Sequence, residues 1–471
     1  MSQIELHPDR LLPPEPSLRS IARWLYDEVA DLPIISPHGH VDPGILADDE
    51  PFGDPANLLV VPDHYVTRLL HAHGVPFDQL GVPPGKPVGS AEPREIWRTF
   101  CSHFWAFRGT PSRYWLEDEL VEVFGIGVRP SAETADELFD KLTERLAAPD
   151  CRPRALYERF GIEVLATTDD PSSDLGAHST LADDPTWKGR VVPTFRPDAY
   201  LDPSRPDWAE GVARLGTAAA TDTTSYDGYI AALEQRRAYF KQHGATATDH
   251  GHADAGSQPL DIADARTIFT AALGGTATAA EQIAFRRHML SEMARMACDD
   301  GLVMQLHPAV LRDHHTETFE TYGRDVGGDI PVAAEYTRAL RPLLERYGTH
   351  PNFRMVLFTT DEDVFSREIA PLAGFYPSVF VGAPWWFIDT PDAILRFRQA
   401  VTDTVGFHKT AGFVDDTRAY CSIPVRHDMA RRLDCGFLAR LVAEHRLPED
   451  EAMETARDLA YRLPSTTFRL S

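Results

Sequence analysis

Eight short apolar runs, each ending in a polar cluster, constrain the fold of this chain more than any other feature. The first, Ile34-Ile35, passes through Ser36-Pro37 into His38-Gly39-His40. Val164-Leu165-Ala166 leads into Thr167-Thr168-Asp169-Asp170, and Val191-Val192-Pro193 into Phe195-Arg196-Pro197-Asp198. Ala245 to Ala247 leads into Thr248-Asp249-His250, Leu302 to Leu306 into His307, and Met355 to Phe358 into Thr359-Thr360-Asp361. Val379 to Gly382 leads into Pro384-Trp385-Trp386, and Gly412 to Val414 into Asp415-Asp416-Thr417-Arg418. Short apolar runs bounded in this way read as buried strands. The spacers mostly read as helices: Thr278-x-x-Glu281 is a capping box opening a helix with Ile283, Leu290, Met293 and Ala297 on one face, stopped near Gly301. Strands alternating with helices imply a parallel sheet. Eight strands whose polar residues gather at their carboxyl ends predict an α/β chain folded as a (β/α)8 TIM-type barrel, because the loops at that end build the site. An open doubly wound sheet is the alternative, disfavoured because no glycine-rich phosphate loop follows any run.

One spacer breaks the rhythm. Between the first and second runs lie roughly 120 residues, far more than a βαβ crossover needs. They read as helices joined by Pro and Gly turns, and include Asp63-His64-Tyr65, an aromatic-rich run from Phe100 to Trp115 and an amphipathic helix from Ser131 to Leu146. The expected organisation is residues 1–44 as an N-terminal helix (Ser17 to Ala30) and the first strand, and 45–155 as an inserted helical subdomain. Residues 156–471 form the remainder of the barrel, closed by helices over Asp428 to Glu444 and Glu449 to Leu463.

Side chains alternate along a strand, so His38 and His40 point the same way, and Gly39 between them permits a close approach. In a chain with 19 histidines such a pair is weak evidence alone. The barrel strengthens it, because its first, fifth and eighth strands open on one mouth, where His38, His40, His307 and Asp416 converge as three nitrogen donors and one oxygen donor. That set suits one divalent metal ion, zinc first, with Mn2+, Fe2+ or Ni2+ also compatible. The end of the fourth run, Asp249-His250, has no Lys or Glu to bridge two ions.

With 71 acidic against 46 basic residues the formal charge is -25, which excludes a nucleic-acid binder, since that function relies on Lys and Arg neutralising phosphates. An anionic substrate would require arginines concentrated locally. The five cysteines are scattered singly, fitting a reducing cytoplasm without disulfides or a thiolate cluster. No signal peptide and no apolar stretch of membrane-spanning length is expected. A homo-oligomer is expected.

The order of these candidate ligands is similar to that of the amidohydrolase superfamily. Asp63-His64-Tyr65, Thr167-Thr168-Asp169-Asp170-Pro171, Arg196-Pro197-Asp198, His307-x4-Arg312, Trp385-Trp386-Phe387 and Asp416-Thr417-Arg418 occur in the order and setting of uronate (glucuronate) isomerases. The resemblance covers nearly the whole chain. It implies an aldose-ketose isomerase interconverting D-glucuronate with D-fructuronate and D-galacturonate with D-tagaturonate, and the acid-base residues at the mouth favour proton transfer through an enediol over a hydride shift. Matching positions imply that His38, His40 and Asp416 hold the metal with His307 close to it, and that Arg196, Arg312 and Arg418 hold the sugar acid. Trp385 and Trp386 would stack on the sugar, while His64 and Tyr65 reach over the mouth as lid or proton relay. Asp416, His64, Tyr65 and Arg418 are the catalytic candidates. The chain departs from the pattern at Ser36-Pro37, at Gly39, in a longer Gly251-His252-Ala253-Asp254 loop and in Thr455-Ala456-Arg457-Asp458, departures that bear on substrate choice. The alternative is a metal-dependent amidohydrolase-type hydrolase on an anionic substrate, since the same ligands can activate water.

Overall fold

The computed structural model describes residues 3–471. Seven of the eight apolar runs are strands: β1 (Ile34–Ser36), β2 (Ile162–Ala166), β3 (Arg190–Val192), β4 (Ala247–His250), β5 (Val303–Leu306), β8 (Met355–Leu357) and β9 (Val379–Val381). Between β5 and β8 lies an unforeseen antiparallel pair, β6 (Val310–Leu311) and β7 (Ile330–Pro331). The fourth strand sits later than its apolar residues suggest, so Asp249 and His250 are strand residues rather than loop residues.

The long strands pair in parallel, β1-β2-β3 in one sheet and β4-β5-β8-β9 in a second. Phe195 joins the two sheets: its N–H donates to Ala247 O at 3.2 Å and its carbonyl accepts from Asp249 N at 3.0 Å. The eighth run is not a strand. Ala411 N donates to Val381 O at 2.9 Å, but Gly412 then takes φ 75°, wedged where a Cβ would lie 2.5 Å from Pro464, and the chain leaves extended geometry. The ladder therefore does not close, and what the structure shows is an α/β fold with parallel sheets, not a closed barrel. One backbone bond, His40 N to Thr417 O at 2.9 Å, links the two ends.

Strand alternation sorts the apolar side chains. Ile35, Val164, Ala166, Val192, Ala247, Val303 and Val356, drawn from both sheets, share one buried cluster. Met304, Leu306, Met355, Leu357, Val379 and Val381 face the other way and pack with helical residues such as Leu233, Phe240, Met289 and Met293. Each such buried aliphatic side chain contributes about 1.5–3 kcal/mol. The expected capping box is present, and helix Ala279–Asp300 ends at Gly301 with φ 78°. Between β1 and β2 every regular element from Gly44–Asp48 to Pro153–Arg159 is helical. Leu46, Trp97, Phe100, Phe104 and Leu142 from this stretch share a core with Ile34, Ile162 and Leu165, which seats the helices on the first sheet. The closing helix is Ser422–Ala443, packed on Pro16–Asp27 through Leu25, Cys435 and Leu438. No described helix is long and apolar enough to cross a membrane.

Candidate active site and metal centre

The candidate metal ligands, the three arginines, Trp385, Trp386, His64 and Tyr65 all line one cavity of about 790 Å3 at the carboxyl ends of the strands. Its floor begins where β1 ends. His38 and His40 direct their Nε2 atoms at the same oxygen, Asp416 Oδ1, at 3.3 and 3.1 Å. Asp416 has φ 43°, in the left-handed region. That turn sends consecutive carboxylates apart, since Asp415 Oδ2 lies 3.0 Å from His427 Nε2 instead. His307 follows β5, stacks on His38 with ring centroids 4.8 Å apart, and brings Nδ1 to 2.7 Å from Asp249 Oδ1. A proton on Nδ1 shared with that carboxylate leaves the Nε2 lone pair for the cavity. Asp249 was visible in the sequence only as a strand-end residue. The signal that could have found it is the pairing of β4 with β5, which sets it beside the strand that delivers His307.

His307 Nε2 and Asp416 Oδ1 are buried without a hydrogen-bond partner, and ligand atoms of His38, His307 and Asp416 lie within 4.8 Å of one another. Acceptor atoms buried around a common space are the donor set of a divalent-metal centre, so the residues fit the ion expected from the sequence. Burial pushes His40 down to about 4 against the pull of Asp416, and lowers His307 as well, so both imidazoles are neutral at neutral pH, as ligation requires. Burial also disfavours charge on His38, but Asp249 and Asp416 outweigh it and its pKa rises. Asp416 stays well below the carboxylate range because His38 and His40 overcome its burial.

Three arginines form one wall. Arg196, after β3, places Nε 3.3 Å from Asp249 Oδ2 and 3.4 Å from Asp198 Oδ2. Arg312, after β6, bonds Asp329 Oδ2 at 2.8 Å and lies over the Trp386 ring at 5.1 Å, while Arg418 Nη2 is 3.3 Å from Asp325 Oδ1. Burial opposes the charge on Asp325, yet Arg418, Arg312 and Arg196 together hold its pKa down at about 2. The sequence reading missed Asp325 and Asp329, which lie between β6 and β7 where no periodicity marks them.

The roof is helix His64–Ala72, capped by Asp63, whose carboxylate accepts from Tyr65 N at 2.8 Å. The His64 ring stacks on Trp386 at 5.4 Å, and burial together with Arg418 drives its pKa down to about 3. Tyr65 donates its hydroxyl to Asp389 Oδ1 at 2.9 Å, and Arg426 holds the other Asp389 oxygen at 2.8 Å. Burial and Asp389 raise the Tyr65 pKa well above the usual value, so the phenol stays protonated. Trp385 sets its edge against His307 at 4.8 Å.

A family model described as glucuronate isomerase matches residues 17–468. The chain belongs to the glucuronate isomerase family. It is 51% identical over 467 residues to a uronate isomerase of Rhizorhabdus wittichii, a match covering 99% of each chain. Its structure is similar to the crystal structure of glucuronate isomerase from Caulobacter crescentus, with a TM-score of 0.98 and 46% identity over 100% of this chain and 98% of that one. It is also similar to the uronate isomerase of Thermotoga maritima, with a TM-score of 0.92 and 30% identity over 99% and 100% of the two chains. The glucuronate isomerase match runs through both sheets and through the helical stretch that carries His64 and Tyr65.

Proposed function

We propose that the protein is an aldose-ketose isomerase of hexuronates, converting D-glucuronate to D-fructuronate and D-galacturonate to D-tagaturonate at a mononuclear metal site. One observation carries this reading. Arg196, Arg312 and Arg418 line the same cavity as the His38, His40, His307 and Asp416 cluster, which puts three guanidiniums and a metal-type donor set around one space. A sugar acid needs both: guanidiniums for its carboxylate at one end, and polarising and acid-base groups for C1 and C2 at the other. Membership of the glucuronate isomerase family disfavours the hydrolase alternative.

His38, His40 and Asp416 would hold the ion with His307 beside it, and zinc suits that donor set. A bound divalent ion supplies Lewis acidity toward the sugar oxygens. The remaining work falls to the chain. Arg196, Arg312 and Arg418 bind the substrate carboxylate and fix which end of the sugar meets the cluster, and Trp385 and Trp386 flank the ring. Asp416, ionised, takes the proton from C2; the C–H electron pair becomes the C1–C2 double bond as O1 is protonated. Loss of the O2 proton and return of a proton to C1 complete the ketose. His64, neutral, passes protons between O1 and O2 beneath the roof helix. Tyr65, donating to Asp389, positions that helix and is not the base.

We further read the fold as a (β/α)8 arrangement interrupted at its eighth strand, with 45–155 as an inserted subdomain. The cluster shared by both sheets and the His40–Thr417 bond support it. A cytoplasmic location fits the five cysteines, all free and buried. The test is incubation of the metal-loaded protein with each uronate in D2O, following ketose by NMR. Ketose carrying deuterium at C1 is expected. No ketose from either sugar overturns the activity, and complete retention of the C2 hydrogen overturns the proton route in favour of a hydride shift.

A further inference from the structure

The loop after β4 repeats a pattern already met at β1. His250-Gly251-His252 copies His38-Gly39-His40, and its two rings meet edge to face at 5.9 Å and 84°, against 5.2 Å and 82° for the first pair. A carboxylate again faces the pair, here from Asp198 after β3. Ligand atoms of Asp198, His250 and His252 lie within 4.8 Å of one another. His252 is buried with neither ring nitrogen partnered, and His250, fully buried, has Nδ1 unpartnered while Nε2 lies 3.0 Å from Thr248 Oγ1. Three buried ring nitrogens without partners are costly, and in neutral imidazoles one lone pair on each ring is left for a ligand to engage.

We infer that Asp198, His250 and His252 form a second, independent site for a divalent transition metal. Two imidazoles and one carboxylate suit Zn2+, Co2+, Ni2+ or Fe2+ and leave coordination positions open toward the cavity that His252 and Asp198 line. The site is not half of a bridged pair. Asp249, the penultimate residue of β4, turns its carboxylate to His307 and Arg196, and the Asp198 oxygens accept from Gly251 N at 3.0 and 2.9 Å. A side chain at position 251 would crowd that grip, since a Cβ there would lie 2.9 Å from Asp198 Oδ2.

Neighbouring arginines do not forbid a cation, because each is paired with a carboxylate outside the three proposed ligands. Arg237 is held by Asp300 at 2.6 Å and Arg286 by Asp254 at 2.6 Å and Asp202 at 3.4 Å, while Arg196 is held by Asp249 at 3.3 Å as well as lying 3.4 Å from the ligand oxygen Asp198 Oδ2. Burial also keeps both histidines below their usual pKa, hence neutral and able to ligate.

The test is metal content of the full chain after equilibration with Zn2+ or Co2+ and removal of excess ion. About two equivalents are expected in the wild type, and about one in His252→Ala and in His252→Asn, each checked for an unchanged melting temperature. His38→Ala/His40→Ala is expected to lose the other equivalent while keeping the one held by Asp198, His250 and His252. Anomalous diffraction from Zn2+-equilibrated wild-type crystals needs no variant and should place a peak among these three residues. A wild type holding one equivalent, with no peak there, overturns the second site. Two equivalents surviving in His38→Ala/His40→Ala would instead count against the first.

Discussion

Arg418 and Arg312 show how a single side chain decides between two readings of the cavity. If they hold the substrate carboxylate, each loses a charge-assisted contact worth about 1.5–3 kcal/mol on replacement by methionine. Arg418→Met or Arg312→Met is then expected to raise KM for uronates roughly tenfold or more, measured in steady-state assays on both sugars. Unchanged KM would make them partners of Asp325 and Asp329 only. The identities of these arginines were legible because each follows an apolar run or sits at a fixed spacing from His307. Their resting partners were not, because Asp325 and Asp329 lie in irregular chain whose course is set by tertiary contacts. Asp249 illustrates the same limit: its role depends on which strand lies beside β4, and no local spacing reports that.

At the level of elements, the roof depends on segments that the sequence reading placed only as generally helical. Helix Pro111–Asp118 runs into a turn of π-helix, Glu119–Val123, which buries the Glu119 carboxyl. Burial and then the charge of Asp63, the residue capping the His64 helix, push Glu119 up to about 8, against Arg426. The folded state therefore keeps a proton that the unfolded chain releases near pH 4.5. The resulting stabilisation is full in acid and is lost as pH rises from about 4.5 to 8, at no more than about 1.4 kcal/mol per pH unit. Glu119→Gln carries no charge to bury, so its melting temperature should gain on the wild type progressively from pH 5 to pH 8. Parallel pH profiles would show that the carboxyl is ionised and partnered in the folded protein. The π turn itself was not legible, since its extra residue is accommodated by packing rather than announced by a Pro or Gly.

For the molecule as a whole, the alternation of apolar runs and helical spacers predicts eight strands, of which seven are present, with parallel pairing and a polar end lined by the candidate site residues. It failed at the eighth run, where Gly412 pressed against Pro464 turns the chain out of line. That failure places the proposed ligands on opposite banks of an open seam: His38 and His40 on the β1 side, Asp416 on the other, with one backbone hydrogen bond crossing between. An ion held by all three would act as a clasp across a gap that the backbone leaves open. Stability should then follow free metal by mass action, about 2.7 kcal/mol at a hundredfold excess over Kd. Hydrogen exchange at residues 410–417 and 38–41 should slow on metal addition more than exchange in β4 or β5. Equal slowing everywhere would mean that the ends are already locked, and that the ion serves the substrate without also holding the protein shut.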